Sequence, residues 1–126
     1  MSTTELTTQS FEKTVTDNEI VFVDFWASWC GPCRMFAPVY EKVSAQHEDV
    51  VFGKVDTEAE QEIAAAAQIS SIPTLMAFRD GIMVFRQAGA LGEKQFAEVV
   101  DAVKGLDMDE VRAQFEKHQA EQGGAQ

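Results

Sequence analysis

Apolar positions recur along this chain in two rhythms, one suited to strands and one to helices. Ile20–Trp26 is apolar at every position but Asp24 and rich in Val and Phe, the pattern of a strand buried on both faces. Val50–Val55 is a second such run. Thr74–Phe78 and Ile82–Phe85 flank Arg79-Asp80-Gly81, where Asp-Gly predicts a hairpin. Thr4–Thr7 is a candidate short edge strand.

The helical rhythm appears first after Thr8 or Ser10, either of which is a fit cap for a short helix carrying Phe11 and Val15 and ended by Asp17-Asn18. A longer helix follows the cysteines and runs to about Gln46, with Met35, Phe36, Val39 and Val43 assigned to the core. Pro32 falls in its first turn, where a missing N–H costs nothing. Pro38 lies in its interior and predicts a kink. Glu58–Gln68 is Ala-rich and acidic at its start, hence helical. Phe96, Val99, Val100 and Val103 form a core-facing helical stripe. The order β-α-β-α-β-α-β-β-α predicts a three-layer α/β domain with a mixed sheet and a hairpin at one side.

Residues 106–126 read as an extension to a domain of residues 1–105. Asp107 and Glu110 are spaced like a capping box, and Met108, Val111 and Phe115 make a thin apolar stripe. A short helix is expected there, with Glu121–Gln126 frayed into a flexible tail.

The composition narrows the partners. With 21 Asp and Glu against 10 Lys and Arg the formal charge is −11, which disfavours nucleic acid and anionic membrane surfaces. No run approaches the roughly 18 apolar residues that span a bilayer. The N-terminus has neither a basic start nor an apolar stretch, so for an unprocessed chain the expected location is the cytoplasm. In that reducing compartment a close cysteine pair points to catalysis or metal rather than to a structural staple.

That pair is Cys30-Gly31-Pro32-Cys33, at the handover from the buried strand to the helix. Unpaired N–H groups and the macrodipole at a helix start favour a thiolate, and the thiolate is the nucleophile. A second thiol one turn away can attack the first in its turn, which is dithiol–disulfide exchange. A zinc finger is the rival reading, but His47 and His118, the two histidines, are 71 positions apart where a finger wants a few. No metal is expected. Asp24, on the strand face of Phe22 and Trp26, is either a proton-transfer group with a raised pKa or an ordinary hydrogen-bonded acid. Lys54 is similarly placed within a strand, and facing solvent is its plain reading. Trp26 reads as packing, and Trp29, beside Cys30, as cover for the site.

Taken with the Ile72-Pro73 loop, these residues make the chain resemble thioredoxin over roughly residues 5–104. The resemblance rests on Val23-Asp24-Phe25-Trp26-Ala27-Ser28-Trp29-Cys30-Gly31-Pro32-Cys33, Ala37-Pro38, Lys54-Val55-Asp56, Ile72-Pro73-Thr74, Gly81 and Gly89. It implies the thioredoxin fold, a five-stranded sheet in the order 1-3-2-4-5 with helices on both faces, and a cis peptide before Pro73. It implies that Cys30, exposed at the helix start, attacks a substrate disulfide and that the more buried Cys33 resolves the mixed disulfide. Asp24 then exchanges a proton with Cys33, Lys54 tunes Asp24, and Gly31 and Pro32 set the geometry and accompany the reducing members. Trp29, the Ile72 main chain, Gly89 and Ala90 contact substrate. Arg34 stands where the family often has Lys.

The function so implied is protein-disulfide reduction, with re-reduction by an NADPH-dependent thioredoxin reductase and no cofactor beyond the Cys30/Cys33 couple. Implied substrates are ribonucleotide reductase, peroxiredoxins and methionine sulfoxide reductases, and a monomer is the default. Two alternatives stay open: a thiol oxidant or isomerase on the same fold, and a non-catalytic adaptor that binds partners whatever its redox state.

Overall fold

The computed structural model describes residues 2–124; Ala125 and Gln126, at the end of the run expected to fray, lie outside the described residues. Five strands, β1 (Thr3–Glu5), β2 (Ile20–Trp26), β3 (Val51–Asp56), β4 (Thr74–Arg79) and β5 (Ile82–Ala88), form one sheet in the order β1-β3-β2-β4-β5. β3 runs parallel to β1 and β2, whereas β4 is antiparallel to both β2 and β5. β2 is paired on both edges and covered on both faces, so Ile20–Phe25 are all buried. That is why its sequence is apolar without alternation.

The helices among the described residues are α1 (Thr8–Asp17), α2 (Gly31–Ser44), α3 (Gln61–Ala66), α4 (Glu93–Lys104) and α5 (Met108–Gly124). Alternate β2 residues serve two cores. Phe22, with Phe52 of β3, packs against Phe36 and Tyr40 of α2 and Phe96 of α4. Val21, Val23 and Phe25 pack with Val15 of α1, and Phe11 of α1 and Ile63 of α3 lie against them. Tyr40 stacks on Phe96 at 5.4 Å, and its hydroxyl donates to the Gly53 carbonyl at 2.7 Å. Gly53 has no side chain because Leu6 occupies that space: a Cβ there would lie 2.8 Å from Leu6 Cγ.

Several local expectations shift. β1 covers Thr3–Glu5, and the cap of α1 is Thr7, in a reciprocal box with Ser10. α3 is six residues long, not the span 58–68. Asp56 Oδ1 accepts from the Glu58 N–H and holds that stretch in a turn, while Arg86 donates to the carbonyls of Ala67 and Gln68 at the other end. Met35, assigned to the core, is 74% exposed. The buried stripe of α2 is Cys33, Phe36, Tyr40 and Val43, and Met35 lies about 100° around the helix from Phe36. The helix is continuous through Pro38.

At the C-terminal end Asp107 Oδ1 accepts from the N–H groups of Asp109 and Glu110 and so starts α5. Met108 is buried, and Arg112 bridges to Asp80 of the hairpin turn at 3.1 Å. α5 continues to Gly124, longer than the short helix expected. Among the described residues no helix is long and apolar enough to cross a membrane.

Candidate active site

β2 ends and α2 begins within a few residues, and that junction sets the site. Cys30 is the N-cap of α2: its Sγ accepts from the Cys33 N–H at 3.2 Å, and its carbonyl accepts the first helical bond, from Arg34. Gly31 and Pro32 occupy the first two helical positions, where Pro costs no hydrogen bond. A disulfide joins Cys30 and Cys33, whose Cα atoms are 5.2 Å apart. The Arg34 guanidinium donates to the Ser28 carbonyl at 2.8 Å and ties the connecting loop to the helix.

The expected contrast in exposure between the two thiols is absent. Cys30 is 4% exposed and Cys33 3%, because Ala27, Trp26 and Ile72 close around both. Ile72 comes from the loop before β4, and its carbonyl oxygen lies 3.6 Å from Cys30 Sγ. The Ile72–Pro73 peptide is cis. Gly89 donates its N–H to the Pro73 carbonyl at 2.8 Å, with a φ of 100° that glycine alone adopts at no steric cost. Ala90 is exposed beside it. Trp29 is 65% exposed, and its indole N–H donates to Glu58 Oε1 at 3.0 Å.

Asp24 lies in β2, six residues before Cys30, and is 1% exposed. It pairs across the sheet with Lys54 of β3 and Leu75 of β4. Neither carboxyl oxygen has a hydrogen-bond partner among the described residues. Burial pushes its pKa up to about 7, and the positive charge of Lys54 partly opposes the shift. The Lys54 ammonium makes no direct ion pair with Asp24; it sits 4.9 Å from the centre of the Trp26 ring, a cation–π distance. Sequence reasoning did not find Glu58 or Tyr40. Glu58 holds a residue 29 positions away, and no local spacing signals such a partner. No cluster of three or more His, Cys, Asp or Glu suited to a metal occurs among the described residues.

A disulfide-bonded cysteine pair at a helix start, a buried acid of raised pKa in the strand before it and the Ile72 carbonyl against Cys30 Sγ together suit thiol–disulfide exchange. The family model for thioredoxin matches residues 2–102. This chain belongs to the thioredoxin family. Thioredoxin relatives cover most of it: a Streptomyces coelicolor protein assigned the name thioredoxin 2 is 56% identical over 122 residues, spanning 97% of this chain and 91% of the relative. The Mycobacterium tuberculosis thioredoxin is 41% identical over 109 residues, spanning 84% and 94%. Among solved structures, Plasmodium falciparum thioredoxin superposes with a TM-score of 0.74 at 33% identity, covering 79% of this chain and 97% of its own. A point mutant of Halobacterium salinarum thioredoxin gives 0.76 at 31% identity, covering 82% and 91%. With its Cys30–Cys33 disulfide, this thioredoxin-family chain is a thiol–disulfide oxidoreductase.

Proposed function

We propose that this thioredoxin works in the reducing direction, as a general reductant of protein disulfides in the cytoplasm. The observation that carries the reading is the placement of Cys30 at the N-cap of α2 with the buried Asp24 in the strand that leads to it. In the reduced protein the Cys30 thiolate, favoured by the helix start, attacks one sulfur of the substrate disulfide. A Cys30–substrate bond forms, the substrate S–S bond breaks, and the departing sulfur leaves as a thiolate that takes up a proton. Asp24 in its carboxylate form accepts the proton of Cys33. Cys33 then attacks Cys30 Sγ, releases the second substrate thiolate and leaves Cys30–Cys33 oxidised. The balance is two electrons from two thiols to one disulfide.

A carboxyl titrating near 7 is matched to that proton transfer at neutral pH. Lys54 tunes it, and Gly31 and Pro32 hold the two sulfurs one turn apart. The substrate lies as an extended segment along Ile72, with Trp29, Gly89 and Ala90 at its sides. Residues 1–105 form the reactive domain and residues 106–126 a C-terminal extension, and the protein acts as a monomer. An NADPH-dependent thioredoxin reductase restores the dithiol, and ribonucleotide reductase, peroxiredoxins and methionine sulfoxide reductases are the substrates to assay first.

The test is an equilibrium redox titration against glutathione, followed by the fluorescence of Trp26 and Trp29. A single two-electron transition well below the glutathione couple is expected. A transition near or above that couple makes the protein an oxidant or isomerase, and no transition leaves only an adaptor.

A further inference from the structure

Tyr40 is a fully buried titratable group that the exchange steps above do not use. It lies on the buried stripe of α2, two helical turns after Cys33. Its ring is held among those of Phe36, Phe52 and Phe96, at centroid distances of 5.6, 5.6 and 5.4 Å. The other buried members of that cluster are aliphatic or phenyl side chains. A phenol has one proton to give, and Tyr40 donates it to the Gly53 carbonyl at 2.7 Å. Gly53 precedes Lys54, and Lys54 pairs with Asp24 across β3 and β2. The bond therefore ends one residue along and one strand across from Asp24, steps of about 3.3 Å and about 4.8 Å. Phe22, which packs in the Tyr40 cluster, shares its strand face with Asp24, so phenol and carboxyl lie on one side of the sheet. The two groups also feel each other's charge. Ionisation of Tyr40 is pushed up first by burial, then by the negative charge of Asp24, then by that of Glu41.

We propose that Tyr40 is a positioning residue of the resolving step: its hydroxyl, turned onto Gly53, keeps Asp24 protonated to a higher pH and so sets the pH at which Asp24 takes the proton of Cys33. A phenol whose proton is committed to a carbonyl presents only its oxygen to its other neighbours. Lone pairs near a carboxyl disfavour the ionised form, and an apolar core screens them far less than water does. The proposal deepens the reductant reading and rests on it, since Tyr40 acts through Asp24. The other charged or titratable groups that face Asp24 are Lys54 from β3 and, in the reduced protein, Cys33 from α2. β4 sets Leu75 opposite it, which does not titrate. In the oxidised protein the cysteines are joined, so the titration near neutral pH belongs to Asp24 with Lys54 and Tyr40 as its neighbours.

The experiment compares full-length wild type with Tyr40→Phe, which keeps the ring and loses the hydroxyl. Carboxyl-carbon NMR of the oxidised proteins follows Asp24 directly. Its midpoint is expected near pH 7 in the wild type and about half a unit lower in Tyr40→Phe. Tyr40→Leu, which also lacks the hydroxyl, must move it the same way and serves where the Phe variant does not fold. The reduced proteins are then mixed with an equimolar amount of dithiobis(nitrobenzoate). Cys30 attacks and releases one coloured thiolate; Cys33 displaces the second and closes Cys30–Cys33, so two phases report attack and resolution separately. Tyr40→Phe is expected to leave the first phase unchanged and to lower the pH midpoint of the second by the same half unit. A hydroxyl that only braces α2 on β3 would lower the urea midpoint and leave both pH midpoints in place. An unmoved NMR midpoint would therefore overturn the proposal, as would a shifted one with an unmoved second phase. Asp24→Asn separates the two readings. A second phase that keeps its rate and pH dependence in that variant would remove Asp24 from the resolving step, and the role of Tyr40 with it.

Discussion

Replacing Asp24 by alanine is expected to stabilise the oxidised protein above neutral pH and to do so far less in acid. The carboxyl is 1% exposed, and its pKa stands at about 7 in the fold against about 3.9 in an unfolded chain. Between those two values the native state holds a proton that the unfolded state has lost. Native stability is therefore highest below about pH 4, falls as the pH rises through 7, and levels off beyond it. A displacement of about 3 pKa units at 1.36 kcal/mol each amounts to about 4 kcal/mol. The lost side-chain volume and the lost polar group of the alanine variant do not titrate, so they cancel when the variant's gain at pH 9 is compared with its gain at pH 3.5. Urea unfolding followed by far-UV circular dichroism over that range gives both curves. If the wild-type and Asp24→Ala curves run parallel between pH 4 and pH 8, Asp24 does not titrate inside the fold and the account of its burial is wrong.

Two further substitutions test the fold and the chemistry. Gly53→Ala places a Cβ against the buried Leu6 side chain and should cost about 1–3 kcal/mol in urea unfolding, with full stability counting against tight packing of β1 on β3. Cys33→Ser removes the group that resolves the intermediate, so a stable Cys30–substrate adduct should accumulate by mass spectrometry; rapid substrate release without it would assign resolution to another thiol.

Much of the fold was legible because its signals are short-range. The apolar run of β2, the Asp-Gly turn between β4 and β5 and the α4 stripe from Phe96 to Val103 each depend on the spacing of neighbours in the chain. The sheet order and the cis peptide at Ile72–Pro73 were not legible in this way: they came from resemblance, since pairing partners lie tens of residues apart. Boundaries failed where side chains intervened, as at α3, which Asp56 shortens at one end and Arg86 terminates at the other.

By itself the sequence determined that two thiols sit one turn apart where a buried strand meets a helix, with an acid in that strand, because these relations are local and survive any arrangement of the remainder. Tertiary structure alone decided what surrounds them. Ile72, 42 positions from Cys30, closes over the sulfur and removes the expected difference in exposure between the two cysteines. Glu58 holds Trp29, and the pairing of β2 with β3 sets Lys54 beside Asp24. Burial and hydrogen-bond partners depend on which distant segments meet, so the raised pKa of Asp24 exists only once the chain has folded.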